Sequence, residues 1–550
     1  MMKKMKVASV AFGAMMLASC LAVAGCGGDK KPSNGASKVI EIGCEAKGYG
    51  SAFAYALAEE YNKIQSDVEV RIVKDTPMAG YHTNQLALGG KKCDVDLFFT
   101  LTQSVFYTQS QAGKNHWADI SDVYDAVAEG YKESDGTKTI EDLIDPTYVK
   151  QFTFTDGKQY SIPYTSGTVG LLYNKTKWDA TNAKLKQAGE DELVLPKTTD
   201  EMFTLFDRMK ETEVKNASDG AYAFSYSGVD SYMHFLFNSL WPQYLGEVGA
   251  SNFLEGKDEN GVYTADIYKS DARKYAYEIV GAMIEKDNKY VSPNDLSKQY
   301  NQEQEEFLKG SAFFSCNGDW LERETAKKIK PGEADVVMLR TPVMSKIVNH
   351  PTVSGDFTGT ATQKDAKLSA IIDFIDENYI EKDGAPSEAD ATTLEISLDT
   401  LKFIHHARLA RHTLIDFVAV IPEFSNELQE TKDFLKFMYS KQGQDIVLQN
   451  TYGCAAPMTI DYSQMDYWQT ATYYSKTRLE LISKSVSYGN AYCYPMQYLA
   501  SIRLYPDGNG IATHFGGDTP GDAEGILMDE YKKYRDTWED KMAAAGVSNN

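Results

Sequence analysis

Between residues 38 and 99 the apolar positions follow two alternating periods. Val39-Ile40-Glu41-Ile42-Gly43 is a short apolar run that predicts a strand. Ser51 stands where it can cap the helix predicted next, in which Phe53, Leu57, Tyr61 and Ile64 recur at helical spacing. Residues 68–73 then alternate, with Val68, Val70 and Ile72 on one face of a second strand. Residues 82–88 predict a helix ending at Gly89-Gly90, and Asp94-Val95-Asp96-Leu97-Phe98-Phe99 predicts a third strand. Strand, helix, strand, helix, strand is the order of a parallel sheet with right-handed crossovers. Ligands of such sheets bind beyond the carboxyl ends of the strands, which marks the loops 43–50 and 99–104.

Residues 157–178 read GKQYSIPYTSGTVGLLYNKTKW. Gly157 marks a turn. Val169, Leu171 and Tyr173 fall on one face of an extended segment, and Gly170 and Leu172 on the other. Pro163 removes a ladder donor, so the segment is a strand that turns, crosses open space and continues, rather than one central strand. Further on, Thr198 and Glu201 have the spacing of a capping box for a helix through about Lys210. Residues 346–417 look like an insertion: acidic polar sequence followed by LDTLKFIHHARLARHTLIDF. The region beyond 460 is long and Tyr-rich, and no internal repeat is present.

The N-terminus adds a destination. Lys3, Lys4 and Lys6 form a positive start, residues 7–25 carry no charge, and Cys26 follows Val23, Ala24 and Gly25. This reads as a secretory leader over 1–25. Small residues before a cysteine resemble a bacterial lipoprotein cleavage box, with Cys26 as the lipidated first residue. Leu17-Ala18-Ser19-Cys20 fits the box too; Cys26 is favoured because a polar tether, over 26–37, follows it at once. A retained transmembrane helix is the alternative, but the run is Ala/Gly-rich and only marginally long enough for a span of about twenty residues. An acyl anchor holds a protein on a membrane without spanning it.

Composition narrows the class. The chain has 550 residues, enough for two or three domains. Its formal charge of −22 becomes more negative once the three leader lysines are removed, and such a surface repels nucleic acid. Aromatics make up 12%, with 35 Tyr, a supply compatible with sugar stacking although most such rings are core. Cys20 and Cys26 belong to the export region, leaving Cys44, Cys93, Cys316, Cys454 and Cys493 with no metal spacing. Cys44 ends one predicted strand and Cys93 begins another. In parallel neighbours they lie about 17 Å apart, too far for a disulfide, so mostly free, buried thiols are expected.

The segment after Gly157 resembles the first interlobe crossover of bacterial extracellular solute-binding proteins, the family that includes maltose-binding protein. Gly157, Lys158, Tyr160, Pro163, Leu171, Leu172, Tyr173, Asn174 and Lys175 match its pattern. FLKGSAFFSCNGDW at 307–320 resembles a second family signature, ending in Gly-x-Trp. ADVVMLRTP at 334–342 resembles a strand returning to the first lobe, and 421–457 resembles a further signature with Ser425-Asn426, Phe434–Met438, Gly453 and Pro457. The resemblance covers most of 38–345 and 418–460. It implies a two-lobed α/β, periplasmic-binding-protein-like (type II) fold with crossover hinge strands and an insertion. Lobe 1 is then expected over 38–168 and 344–440, and lobe 2 over 169–343 and 441–550.

The same resemblance implies ligand residues. Glu45-Ala46-Lys47-Gly48-Tyr49 looks like the family's Asp-Lys-Gly-Tyr loop, with Lys47 and Tyr49 kept, Ala46 in place of an acid and Glu45 as its substitute. Phe99 takes the place of a Trp and Gln103 that of an Arg, while Asp230-Ser231-Tyr232 resembles a Glu-Pro-Tyr ligand segment. Trp320 matches the stacking Trp of Gly-x-Trp, against the alternative of a core Trp anchoring a helix. Trp241 and Trp117 are further aromatic candidates. The implied protein is a monomeric, lipid-anchored receptor on the outer face of the cytoplasmic membrane. It closes over a carbohydrate and delivers it to the permease of an ABC importer, with no cofactor, metal or catalytic residue. The alternatives are a peptide or polyamine receptor, or a secreted carbohydrate-acting hydrolase.

Competing chemistry is thin. His405, His406 and His412 are expected in one helix, on a solvated basic face rather than on a metal. Asp507-Gly508-Asn509-Gly510 lacks the spaced acids and terminal Glu of a calcium loop. No G-x-S-x-G, H-E-x-x-H or P-loop occurs. Paired glycosidase carboxylates are not legible in a sequence so rich in acids.

Overall fold

Eleven strands among the described residues run in chain order as β1 (Lys38–Cys44), β2 (Val68–Asp75), β3 (Leu97–Leu101), β4 (Ile162–Pro163), β5 (Val169–Asn174), β6 (Tyr222–Ser225), β7 (Ala312–Gly318), β8 (Val336–Met338), β9 (Ala410–Thr413), β10 (Phe417–Val420) and β11 (Val486–Gly489). The computed structural model describes residues 32–549 apart from 34, 46–47, 77–79, 89–92, 94, 102–115, 132–137, 155, 415–416, 455, 490–501, 505 and 507. The leader, both candidate lipidation cysteines, Lys47 and Gln103 lie outside the described residues.

The strands form two principal sheets, one per lobe. The first has the order β2-β1-β3-β10-β4. β1 pairs in parallel with β2 and β3, as the alternation in sequence requires, and β10 runs antiparallel between β3 and β4. β4 carries Pro163 at the sheet edge, where a missing N–H costs no ladder bond. The second sheet has the order β6-β7-β5-β8. All six residues of β5 are buried. Val169, Leu171 and Tyr173 pack into the main core, while Leu172 faces Phe307, Leu321, Met338 and Tyr474 on the opposite side. Alternation in β5 therefore separates two apolar layers, not core from water.

Several local expectations are revised. Ser51 stands at the N-cap of the helix Ala52–Ile64, but its hydroxyl donates to Asp75 Oδ2 at 2.5 Å instead of capping. Thr198 does cap the helix Thr199–Arg208, accepting from Glu201 N, whereas the Glu201 carboxylate reaches Lys197 N, one residue before the capping-box position. The helix expected to carry His405, His406 and His412 ends at Leu409. Arg411 and His412 lie in β9, which pairs in parallel with β11, because the backbone is already extended at the helix C-cap, Ala410 (φ −60°, ψ 127°).

The chain does not return to the first lobe where its sequence suggested. β8 pairs with β5 in the second sheet, and the first sheet is re-entered only at β10. Residues 343–407 between them build their own small core around Ile347, Phe357, Leu368, Ile372, Leu401 and Ile404. Its helix Leu398–Leu409 lies against the long helix Met233–Leu254 of the second lobe. There Phe403 fills the space where Gly246, at φ +67°, has no Cβ; a Cβ would lie 2.8 Å from its ring. The helix Lys441–Thr451 packs on Ala52–Ile64 in the first lobe, while later helices pack on the second. The crossovers thus run through 164–168 and, between β9 and β10, through Leu414. Cys316 and Cys454 are free thiols and buried; Cys44 is buried and Cys93 partly buried. No described helix is long and apolar enough to cross a membrane.

Candidate functional site

The carboxyl end of β7 carries Gly318, Asp319 and Trp320 to the place where the lobes meet. Trp320 lays its indole over Gly318, where a Cβ would come 2.3 Å from the ring. The Gly-x-Trp spacing therefore has a steric cause: only glycine lets the ring fold back over its own strand. The indole is 7% exposed and makes edge contacts with Tyr232 (6.0 Å between centroids) and Phe235 (5.7 Å) of its own lobe and with Tyr49 (6.3 Å) of the other. Tyr49 also meets Phe417, the first residue of β10, at 4.8 Å.

Between these rings lies a buried polar centre. The Tyr49 hydroxyl donates to Asp319 Oδ1 at 2.8 Å. Thr168 N donates to Asp319 Oδ2 at 3.4 Å, and Arg478 Nη1 stands 3.7 Å from the same oxygen. Asp319 and Arg478 are both wholly enclosed. Burial pushes the Asp319 carboxyl up, against the opposing pull of Arg478 and of the Tyr49 hydrogen bond. Arg478 is itself fixed by Gly453 O at 2.9 Å. Arg411 reaches the first crossover through Thr168 Oγ1 (3.0 Å) and the strand β11 through Ser487 Oγ (2.6 Å), which donates in turn to Asp145 Oδ2 (2.9 Å). The buried hydroxyls of Ser161, just before β4, and of Tyr164, in the first crossover, have no hydrogen-bond partner among the described residues. Such groups are where a polar solute or a water would bond.

The arrangement offers flat rings from both lobes and fixed donors and acceptors between them. No group of three or more metal-ligating side chains occurs among the described residues.

Comparison with known proteins decides the family. Residues 56–474 match the family model of the bacterial extracellular solute-binding protein. The chain belongs to this family. No curated protein matches it. Among solved structures, this solute-binding protein is similar to a cyclic alpha-maltosyl-1,6-maltose binding protein from Arthrobacter globiformis (TM-score 0.56, 14% identity, 91% of this chain and 99% of that one). It is also similar to the GacH receptor of Streptomyces glaucescens, solved unliganded and with acarbose (0.53, 16%, 92% and 99%). A third similar structure is the ABC substrate-binding protein Lmo0181 from Listeria monocytogenes in complex with cycloalternan (0.53, 15%, 93% and 100%). At these identities the likeness establishes the two-lobed fold.

The other residues singled out in sequence are scattered. Glu45 follows β1 but is fully enclosed, its carboxylate held by Tyr81 N, His82 Nδ1 (2.7 Å) and Thr100 Oγ1 (2.5 Å). Burial opposes its charge, yet these bonds hold its carboxyl below the ordinary value. Phe99 packs inside the first lobe on Phe53 and Tyr164, each at 5.1 Å. Trp241 is a core residue of its helix, with Phe253 at 4.5 Å and Nε1 donating to Asn238. Trp117 is likewise enclosed, beside His82 and Phe98. Asp230 is exposed, and Tyr232 stacks on Phe235 at 5.0 Å beside Trp320. The structure thus brings together Tyr49, Tyr232 and Trp320, and adds Asp319, Arg411 and Arg478, which the sequence reading missed.

The histidines are not a solvated face. His412 is enclosed, with Nδ1 2.9 Å from Tyr488 O, and burial drives it down to about 3. His406 Nε2 lies 2.9 Å from the Tyr488 hydroxyl, and burial lowers it to about 4. Both are neutral in ordinary buffers. A cavity of about 720 Å³ lies elsewhere, between residues 192–197, the helix Thr199–Arg208 and Thr362–Ala366, and shares no residue with the aromatic centre.

Proposed function

We propose that this solute-binding protein captures a carbohydrate, in the first instance an oligosaccharide, between its two lobes and delivers it to the membrane permease of an ABC importer. One observation carries the reading. Tyr49 from one lobe and Trp320 and Tyr232 from the other converge on a buried polar centre at the carboxyl ends of their strands. Sugars present apolar ring faces bordered by hydroxyls, and this combination of aromatics and fixed donors and acceptors complements them. The named ligands of similar structures, acarbose and cycloalternan among them, support the same class. Closure by bending at the two crossovers favours the solute only through contacts absent when the lobes part.

The proposal includes a leader over 1–25, lipidation of Cys26, and a monomeric receptor tethered to the outer face of the cytoplasmic membrane. Recognition needs no cofactor, metal or catalytic residue. Lys47 and Gln103 remain proposed ligand contacts.

The test is a thermal-shift screen of residues 27–550 against mono- and oligosaccharides, peptides and polyamines. A ligand well above its Kd raises stability by a few kcal/mol through mass action. The expected result is a shift with an oligosaccharide that is recovered intact. Shortened sugar would mean a hydrolase, and a shift only with peptides or polyamines would overturn the carbohydrate assignment.

A further inference from the structure

Arg340, Arg408 and Arg411 line one small cavity beneath the crossovers, together with Ser239, Thr341 and Ser485. Its free space, swept by the centre of a water-sized sphere, is about 10 Å³, which is room for a single small occupant. Arg408 spends Nε and Nη2 on Asp376, at 2.9 and 2.7 Å, but its buried Nη1 has no partner. Arg411, 6% exposed, bonds Thr168 and Ser487 through its two terminal nitrogens, and its buried Nε has no partner. Arg340 makes one long bond, 3.4 Å to Ser485 Oγ.

The charges around the cavity do not balance. Three guanidinium groups have one directly bonded carboxylate, Asp376; Asp145 stands a further hydroxyl away behind Ser487, and Asp319, which also attracts Arg411, is shared with Arg478. His405, beside Arg340, is held below its ordinary value by burial and by that guanidinium, so it adds no charge. Burial and then the charge of Arg408 push Arg340 down to about 10. A buried cation without a counter-charge is costly, and an unmade guanidinium hydrogen bond adds to that cost.

We propose that this cavity is a binding site for a monatomic anion of chloride size, held by Arg340, Arg408 Nη1 and Arg411 Nε. The site shares Arg411 with the polar centre of the solute site but does not depend on the proposed carbohydrate function. It lies where β9 leaves the second lobe, and Arg411 joins it to Thr168 on the first crossover. The bound anion therefore braces the base of both crossovers. A neutral water would satisfy the donors but leave the charge uncompensated, and a polyatomic anion exceeds the space.

The test replaces gluconate by chloride at constant ionic strength and follows the melting temperature of residues 27–550. The expected result is a saturable rise of a few degrees with chloride, reproduced by bromide and lost in Arg340→Gln. A non-saturating response, or one unchanged in that variant, would overturn the site. Should the variant fail to fold, bromide-soaked crystals of the unaltered chain decide the matter. An anomalous peak among the three arginines supports the anion, and a water there in its place rules it out.

Discussion

The Tyr49 hydroxyl donates to Asp319 across the lobe boundary at 2.8 Å, joining residues 270 positions apart. The bond bridges the lobes beside the first crossover, whose Thr168 N also donates to Asp319, and the prediction is that it forms on closure. Tyr49→Phe keeps the ring contacts with Trp320 and Phe417 but removes one donor from a buried carboxylate. Hydrogen bonds to charged groups contribute about 1.5–3 kcal/mol. The expected outcome is a loss of roughly tenfold or more in affinity for the best oligosaccharide in the thermal-shift screen. Small-angle scattering should also show a shift toward more extended molecules at sub-saturating ligand. Unchanged affinity and unchanged scattering would mean that the bond is not part of closure.

That contact also marks what the sequence could and could not reveal. β1 was legible as a short apolar run, buried on both faces, and the helix after it by the helical spacing of its buried Phe53 and Leu57. Trp320 was singled out by its resemblance to the family's Gly-x-Trp, and the steric reason for that spacing, the indole folded over Gly318, shows only in the structure. Asp319 sits between those two residues, yet nothing local distinguishes it from other acids. Its partners Tyr49, Thr168 and Arg478 come from distant segments, and such pairing leaves no spacing to read. Trp241 and Phe99 illustrate the converse. An aromatic at a strand end or on an apolar helix reads the same whether it meets ligand or core, and here both are core. His412 was misplaced because LKFIHHARL is helical in pattern and the change to extended backbone falls within a few residues.

Glu303 gives a pH dependence independent of the solute site. Its carboxylate is enclosed in the second lobe, and Ser225 and Ser315 donate to Oε1 at 2.5 and 2.8 Å. Burial raises it from 4.5 to about 7, more than the two hydroxyls oppose. A carboxyl raised in the folded state is protonated there while the unfolded chain has already ionised. Its contribution is therefore complete below pH 4.5 and is lost as the pH rises to about 7. The loss is on the order of 3 kcal/mol at 1.4 kcal/mol per pH unit. Glu303→Gln should flatten this part of the urea-unfolding stability profile between pH 4.5 and 7.5. An equally steep decline in the variant would assign the slope to other groups, beginning with Asp295, which burial raises to about 6.

Trp320→Phe separates stacking from folding. Phenylalanine keeps a ring over Gly318 and much of the contact with Phe235 and Tyr232, whereas alanine would empty a core site at about 3–5 kcal/mol. The expected outcome for Trp320→Phe is a modest stability loss, about 1–2 kcal/mol, with at least a tenfold loss of oligosaccharide affinity by calorimetry. Equal losses in both quantities would make Trp320 a core residue and remove it from the site.

Gly167 tests the hinge. It lies in the first crossover at φ +55°, and its carbonyl accepts from Leu414 N at 2.8 Å on the second. A Cβ at Gly167 would stand 2.1 Å from Leu414 O, a backbone atom that cannot rotate away. Here the two connecting segments touch, and only glycine permits both the left-handed backbone and the approach. Gly167→Ala must push the crossovers apart or break their hydrogen bond. The expected cost is about 2–4 kcal/mol, read as a lower urea midpoint at unchanged m-value. If the variant folds, its lobes meet at an altered angle, and affinity should fall more than for an alanine placed at Gly189. That glycine also has positive φ, at +77°, but closes a helix with open space around it. Equal affinity losses at the two positions would show that contact between the crossovers does not set how the lobes close.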